Sequence, residues 1–238
     1  ASTVASVVPQ RVADPKTGAV QIKLRNGISV NYKHTLNEPC NAMLRVVAPG
    51  GRSMEDVKSG GAVAVGTRTL SEGGCVADYS REQIELFCVS NLINCMLESD
   101  EEFVTMDFHF SMREEGLAKS LQLLHLVLTR PRWEGSAFER AKQLYASHWR
   151  ASTRSLERAA SNTLIQTLLG EDRRFTDPAP EELDALVLER VRDIVQGQLA
   201  TETLEVNIVG DFDVEVLEDM LDEYVETVPP SALPSAVV

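Results

Sequence analysis

The stretch Val20-Gln21-Ile22-Lys23-Leu24-Arg25-Asn26-Gly27-Ile28-Ser29-Val30-Asn31-Tyr32-Lys33 decides how the chain starts its sheet. Val20, Ile22 and Leu24 alternate with Gln21, Lys23 and Arg25; beyond Asn26-Gly27, Ile28, Val30 and Tyr32 alternate with Ser29, Asn31 and Lys33. Strict alternation is the period of a strand with one buried face. Asn-Gly between two such runs predicts a hairpin in which both turn residues take positive φ. The sheet is therefore antiparallel at its beginning. Upstream, residues 1–18 hold Val, Pro, Ala and Ser without a period and read as a linker or arm.

Outward from the hairpin, a third strand is expected over Ala42 to Val47, stopping at Pro49-Gly50-Gly51. A helix should run from Ser59 to Leu70 and end at Gly73-Gly74; its small residues Gly60, Gly61, Ala62, Ala64 and Gly66 require very close packing. Ser80 followed by Gln83 is a capping box opening a helix that buries Ile84, Phe87, Cys88 and Leu92. Val104, Met106, Phe108, Phe110 and Met112 line one face of the clearest strand. Leu117, Leu121, Leu124 and Leu128 mark a helix ending before Pro131. One long helical region then spans Ser136 to Leu169, and another helix carries Leu183, Val187, Ile194 and Val195. Leu204, Val206 and Ile208 make a last strand, and Val214, Leu217, Leu221, Tyr224 and Val228 form the stripe of a last helix. This order reads as one domain over residues 19–230, followed by a linker over 231–238. The fold class is α+β: a mixed, largely antiparallel sheet with helices packed on one side.

Composition narrows the function classes. The 238 residues are 43% hydrophobic and 25% charged, ordinary globular values, and the net charge of −13 disfavours phosphate backbones and anionic membranes as partners. Neither nucleic acid nor membrane is expected to bind. The opening Ala1-Ser2-Thr3-Val4 has no initiator Met and no signal pattern, so the chain reads as processed or cut from something longer. Cys40, Cys75, Cys88 and Cys95 follow no disulfide or C-x-x-C pattern and are expected as free thiols.

Motifs for chemistry are sparse. His34, His109, His125 and His148 share no metal-ligand spacing, and neither H-E-x-x-H nor H-x-x-E-H occurs. No G-x-S-x-G elbow is present. Asp211, at a strand end, reads as a helix N-cap, with a catalytic carboxylate as the alternative. Arg150, Arg154 and Arg158 form an i, i+4 stripe that is either a solvated face or a partner contact.

Five segments in order nonetheless resemble one family. Leu24-Arg25-Asn26-Gly27-Ile28 is similar to the L-x-N-G opening of the pitrilysin/insulinase metallopeptidases. Gly50-Gly51-Arg52-Ser53-Met54-Glu55 resembles their G-S-R-x-E turn, and Gly61 to Leu70 with Glu72-Gly73-Gly74 resembles their first long helix. Pro131, Phe138 and Arg140 match a P…F…R segment, and Val209-Gly210-Asp211 a late strand ending V-G-D. The similarity extends from about Ile22 to Val228. It is greatest to the branch that processes imported organellar precursors, with Arg68-Thr69-Leu70-Ser71-Glu72 and Ser80-Arg81-Glu82-Gln83 also alike.

The resemblance implies a half-domain of a zinc metalloendopeptidase that removes transit peptides in the chloroplast stroma, or in the mitochondrial matrix as the alternative. Its implied partners are the catalytic half of the same chain and a precursor peptide. In catalytic members the H-x-x-E-H motif binds zinc, its glutamate activating the metal-bound water. Here the histidine positions fall on Ala64 and Arg68, the glutamate on Thr67 and the distal ligand near Tyr145. No zinc and no catalytic residue is therefore expected in this segment; zinc belongs to the parent's catalytic half. The segment Asn94, Cys95, Met96, Leu97 and Glu98 matches the edge strand that pairs with peptide in active halves, though an edge merely covered by another domain would look the same. An inactive homologue serving as a core subunit of a larger complex is the competing implication.

Overall fold

A computed structural model describes residues 10–56, 59–170 and 172–232. Four strands come first: β1 (Gln10–Ala13), β2 (Val20–Lys23), β3 (Ser29–His34) and β4 (Asn41–Pro49). Helices α1 (Ala62–Gly73) and α2 (Arg81–Ser90) precede β5 (Ile93–Ser99) and β6 (Phe103–Ser111). Then follow α3 (Gly116–Thr129), α4 (Gly135–Thr153), α5 (Leu156–Leu168), α6 (Pro180–Ala185), α7 (Leu188–Gln198), β7 (Glu205–Gly210) and α8 (Val214–Met220), which runs into a π-helical turn, Leu221–Val225. The seven strands form one sheet in the order β1-β2-β3-β7-β4-β6-β5, and β3–β7 is its one parallel pair. This is the α+β fold, with the mixed and largely antiparallel sheet, that the alternating runs imply.

One sheet face is buried. Val30, Leu44, Val46, Phe108 and Ile208 meet Leu121 and Leu124 of α3 and Leu217 of α8 in the main core. A second apolar cluster joins Ala62 and Val65 of α1 to Phe138 and Ala141 of α4, Leu183 of α6 and Val191 of α7. Gly66 explains the small residues of α1. A Cβ there would lie 2.5 Å from Val195 Cγ2 and 2.8 Å from Val191 Cγ1, so only glycine lets α7 come this close.

Several expectations are corrected. Within the expected arm, residues 10–13 form a strand pairing antiparallel with β2, from Gln10 opposite Lys23 to Ala13 opposite Val20. Four residues at a sheet edge are too few to show a period. Residues 1–9 and 233–238, expected as arm and linker, lie outside the described residues. In the hairpin, Gly27 has φ +96° but Asn26 does not enter the left-handed region. The loop has three residues, closed by Gly27 N–H donating to Leu24 O (3.1 Å) and Leu24 N–H to Ile28 O (2.9 Å). Asn26 is buried, and its amide donates to the carbonyls of Val225 and Val228 (2.7 and 3.1 Å), pinning the hairpin to the π turn.

Helix boundaries shift for local reasons. α1 starts at Ala62 because Gly61 is left-handed. The long helical region breaks after Thr153: the Ser155 side chain accepts from Arg158 N–H and starts α5 anew. Arg150 therefore lies on α4, Arg154 at the junction and Arg158 on α5, so they share no single-helix stripe. The helix expected around Leu183 and Val187 is likewise two, α6 and α7, with Val187 exposed at the N-cap of the second. Leu92 is 62% exposed with φ +55°, just past α2, rather than part of its buried face. Asp213 caps α8, its Oδ1 accepting from Glu215 and Val216 N–H. Asp211 instead accepts from Cys40 N–H (2.8 Å), tying the end of β7 to the start of β4.

Candidate functional site

The four positions singled out for a lost metal site come together. α1 packs against α4, and the Tyr145 hydroxyl donates to Ala64 O across that contact (3.3 Å). Thr67 is buried; its hydroxyl lies 3.0 Å from Val63 O, 3.1 Å from Ala64 O and 3.0 Å from Ser99 Oγ at the end of β5. Arg68 is exposed and pairs with Glu72 one turn on. Burial pushes the Tyr145 phenol up from its ordinary value, so it stays protonated and acts as a donor.

This donor set does not fit zinc. Ala64 offers a methyl group, the Thr67 hydroxyl is engaged by backbone carbonyls, Tyr145 is a neutral phenol and Arg68 is a cation. Among the described residues, no three His, Cys, Asp or Glu side chains converge as a metal set. The histidines are dispersed. His34 faces Asp211 (3.6 Å), His109 stands opposite Asn94 on the uncovered sheet face, His125 Nδ1 meets Tyr224 O (2.8 Å) and His148 is exposed on α4.

Glu55, the last residue of the Gly50–Glu55 turn, sits below α1 and replaces its missing N-cap. Its carboxylate accepts from Gly61 N–H (2.8 Å) and Val63 N–H (2.7 Å). Those two bonds favour the anion, but burial outweighs them and pushes the carboxyl up to about 7. The Thr67–Ser99 contact then fastens this helix to β5.

β5 lies at the sheet edge. Its register sets Asn94, Met96 and Glu98 opposite His109, Asp107 and Thr105 on the uncovered face, with Cys95 and Leu97 opposite Phe108 and Met106 on the helix side. Asn94, Cys95, Met96 and Glu98 are exposed and Leu97 is half-buried. Neighbouring Arg45 and Asp107 make a two-pronged ion pair across β4 and β6 (2.7 and 2.5 Å). Sequence reasoning missed Ser99 and the capping role of Glu55. Neither residue type signals such contacts, which arise only once the elements pack.

No family model matches the chain. Against rice (Oryza sativa subsp. indica) stromal processing peptidase it is 49% identical over 218 residues, covering 92% of this chain and 18% of that protein. The chain is similar to a segment of the stromal processing peptidases. The protein of that name from Arabidopsis thaliana is 48% identical over 221 residues, covering 93% of this chain and again 18% of the relative. The chain thus spans less than a fifth of the stromal processing peptidases it matches. In three dimensions, the peptidase M16 inactive domain from Pseudomonas fluorescens superposes with a TM-score of 0.78, covering 98% of this chain and 53% of that one at 16% identity. At that identity the likeness establishes the fold.

Proposed function

We propose that this chain is a non-catalytic domain of a stromal processing peptidase, a zinc metalloendopeptidase that removes transit peptides from imported chloroplast precursors. One observation carries the reading: the four positions that would hold and use zinc are assembled against each other, yet none supplies a zinc donor. The scaffold of a peptidase half is kept while its chemistry is not. Zinc and the water-activating glutamate then reside in another part of the longer protein. Both plant relatives named above are chloroplastic, which supports the stroma and leaves the mitochondrial alternative without support.

The role left to this domain is positional. β5 carries a free row of backbone donors and acceptors, and a peptide added there would pair by main-chain hydrogen bonds. The catalytic half of the same chain would face it. Apolar Leu156, Leu164 and Leu168 on α5 are 89%, 60% and 74% exposed, surface that a neighbouring part of a longer chain would cover.

The test uses the full-length protein and a transit-peptide precursor. Arg68→Ala should leave kcat within about twofold, because Arg68 takes no part in the chemistry. Leu97→Pro should raise KM by roughly fivefold or more with kcat retained, since the Leu97 N–H points away from β6 and proline removes that pairing donor from the edge. A collapse of kcat in Arg68→Ala, or no precursor cleavage by the wild-type protein, would overturn the reading. The second result would move the weight to a structural core subunit.

A further inference from the structure

Cys88 and Cys95 are brought together by the fold although the sequence shows no thiol motif. Cys88 sits in the last turn of α2, buried; Cys95 lies on β5 and is exposed. Both line an apolar cavity of about 370 Å³ between α1, α2, β5 and α3, Cys95 standing on the helix side of the sheet opposite Phe108. Ile84, Leu97, Phe108 and Val127 form much of its wall, and Cys75 is a third thiol on it.

We infer that Cys88 and Cys95 form a redox-active dithiol that closes reversibly to a disulfide through exchange with small-molecule disulfides such as oxidised glutathione. The two thiols share one cavity wall, reached from α2 on one side and from β5 on the other. The exposed partner is also the better nucleophile. The Cys88 thiol stabilises the Cys95 thiolate and holds it down to about 7, while Cys88 itself is pushed up, first by that same interaction and then by burial. Glu85 is the acidic group that opposes ionisation of Cys88, and Arg81, one turn before it, also lines the cavity.

The step balances as thiol–disulfide exchange. The Cys95 thiolate attacks one glutathione sulfur, forming a mixed disulfide and releasing one glutathione thiolate. Cys88 then loses its proton and attacks the Cys95 sulfur, releasing the second. The two cysteines give up two electrons, the glutathione disulfide accepts them, and the two thiol protons end on the two glutathiones. The product staples the end of α2 to the sheet edge. This inference is independent of any peptide bound at β5.

The experiment equilibrates the native full-length protein in glutathione buffers of increasing oxidised fraction. Thiols are then blocked with N-ethylmaleimide and the protein is digested with trypsin. Both cysteines fall on one fragment, Glu82 to Arg113, because no Lys or Arg lies between. The expected product is that fragment, unblocked and lighter by two hydrogen atoms, reversible with dithiothreitol, while the fragments holding Cys40 and Cys75 stay blocked. In Cys88→Ser the exchange should stall as a glutathione adduct on Cys95. Under reducing conditions Cys95 should alkylate roughly fivefold faster than Cys75 at neutral pH. A fragment that stays doubly blocked in the most oxidising buffer, or a wild-type adduct that never resolves, would overturn the inference.

Discussion

Glu55 shows how much one side chain can carry. Its folded-state pKa, about 7, lies above the ordinary carboxylate value, so its contribution is complete below the ordinary range and lost as pH rises through 7. Stability to urea should therefore fall by up to ~3 kcal/mol between pH 4.5 and 7.5, the size set by the shift. Glu55→Gln should remove that slope. It should also cost about 1–3 kcal/mol at low pH, because one amide oxygen cannot serve both Gly61 and Val63 N–H. Urea curves of both proteins across this range check the prediction, and equal slopes would refute it. Residues of this kind were the least legible in the sequence. Glu55 was visible as the end of a family-like turn but not as a helix cap. Asn26 reads in the sequence as a turn residue, which it is, but nothing there announces that its amide holds the carbonyls of Val225 and Val228, about two hundred residues away. Asp211 reads as a cap in the sequence; the cap is Asp213. Short polar side chains choose among nearby backbone partners, and that choice is made by the packed chain.

Elements were far more legible than their ends. Period-two alternation located β2, β3, β4, β6 and β7, because burial of one face imposes that pattern. The break between α4 and α5 escaped, since the apolar spacing continues across Arg154-Ser155 and a serine cap is compatible with an uninterrupted helix. Small residues on α1 correctly announced a close neighbour, and this gives a prediction at Gly66. Gly66→Ala gains up to ~1 kcal/mol of helix propensity. It also drives a methyl group to 2.5 Å from Val195, a stiff β-branched side chain with no room to turn away. Overpacking of this kind costs ~1–3 kcal/mol, so the variant should be less stable, with a lower urea midpoint at unchanged slope. Combining it with Val195→Ala should recover part of that loss, a coupling that separate single effects would not show. The α1–α4 contact supports a second test. Ala64→His, Thr67→Glu, Arg68→His and Tyr145→Glu together restore the family's ligand set on helices that already touch. Competition with a chromogenic chelator should show at least ~100-fold tighter zinc binding than the parent chain. A folded variant without that gain would mean that the four positions are misaligned.

At the scale of the whole molecule, the question is whether two apolar clusters make one cooperative unit. The main cluster is the sheet with α3 and α8; the second is helical, built from α1, α4, α6 and α7. Two features join them. Ile194 packs against both clusters, and α1 contributes Val63 to the first and Val65 to the second. Because α1 is gripped by α7 at Gly66, by Glu55 at its start and by β5 through Thr67–Ser99, losing the helical layer would strip one wall from the sheet core. The two clusters should therefore unfold together. The tryptophans report on one side of the junction: Trp133 packs on the helical cluster and Trp149 lies in α4. Far-ultraviolet circular dichroism sees the whole chain. Urea transitions followed by tryptophan fluorescence and by dichroism should coincide in midpoint and slope. α5 buries no side chain and is the element expected to fray first, so its amides should exchange hydrogen ahead of those in α1 and β4. A fluorescence transition preceding the dichroism transition would show instead that the helical layer detaches from a standing sheet. The single-domain reading of residues 19–230 would then give way to two units divided along α1.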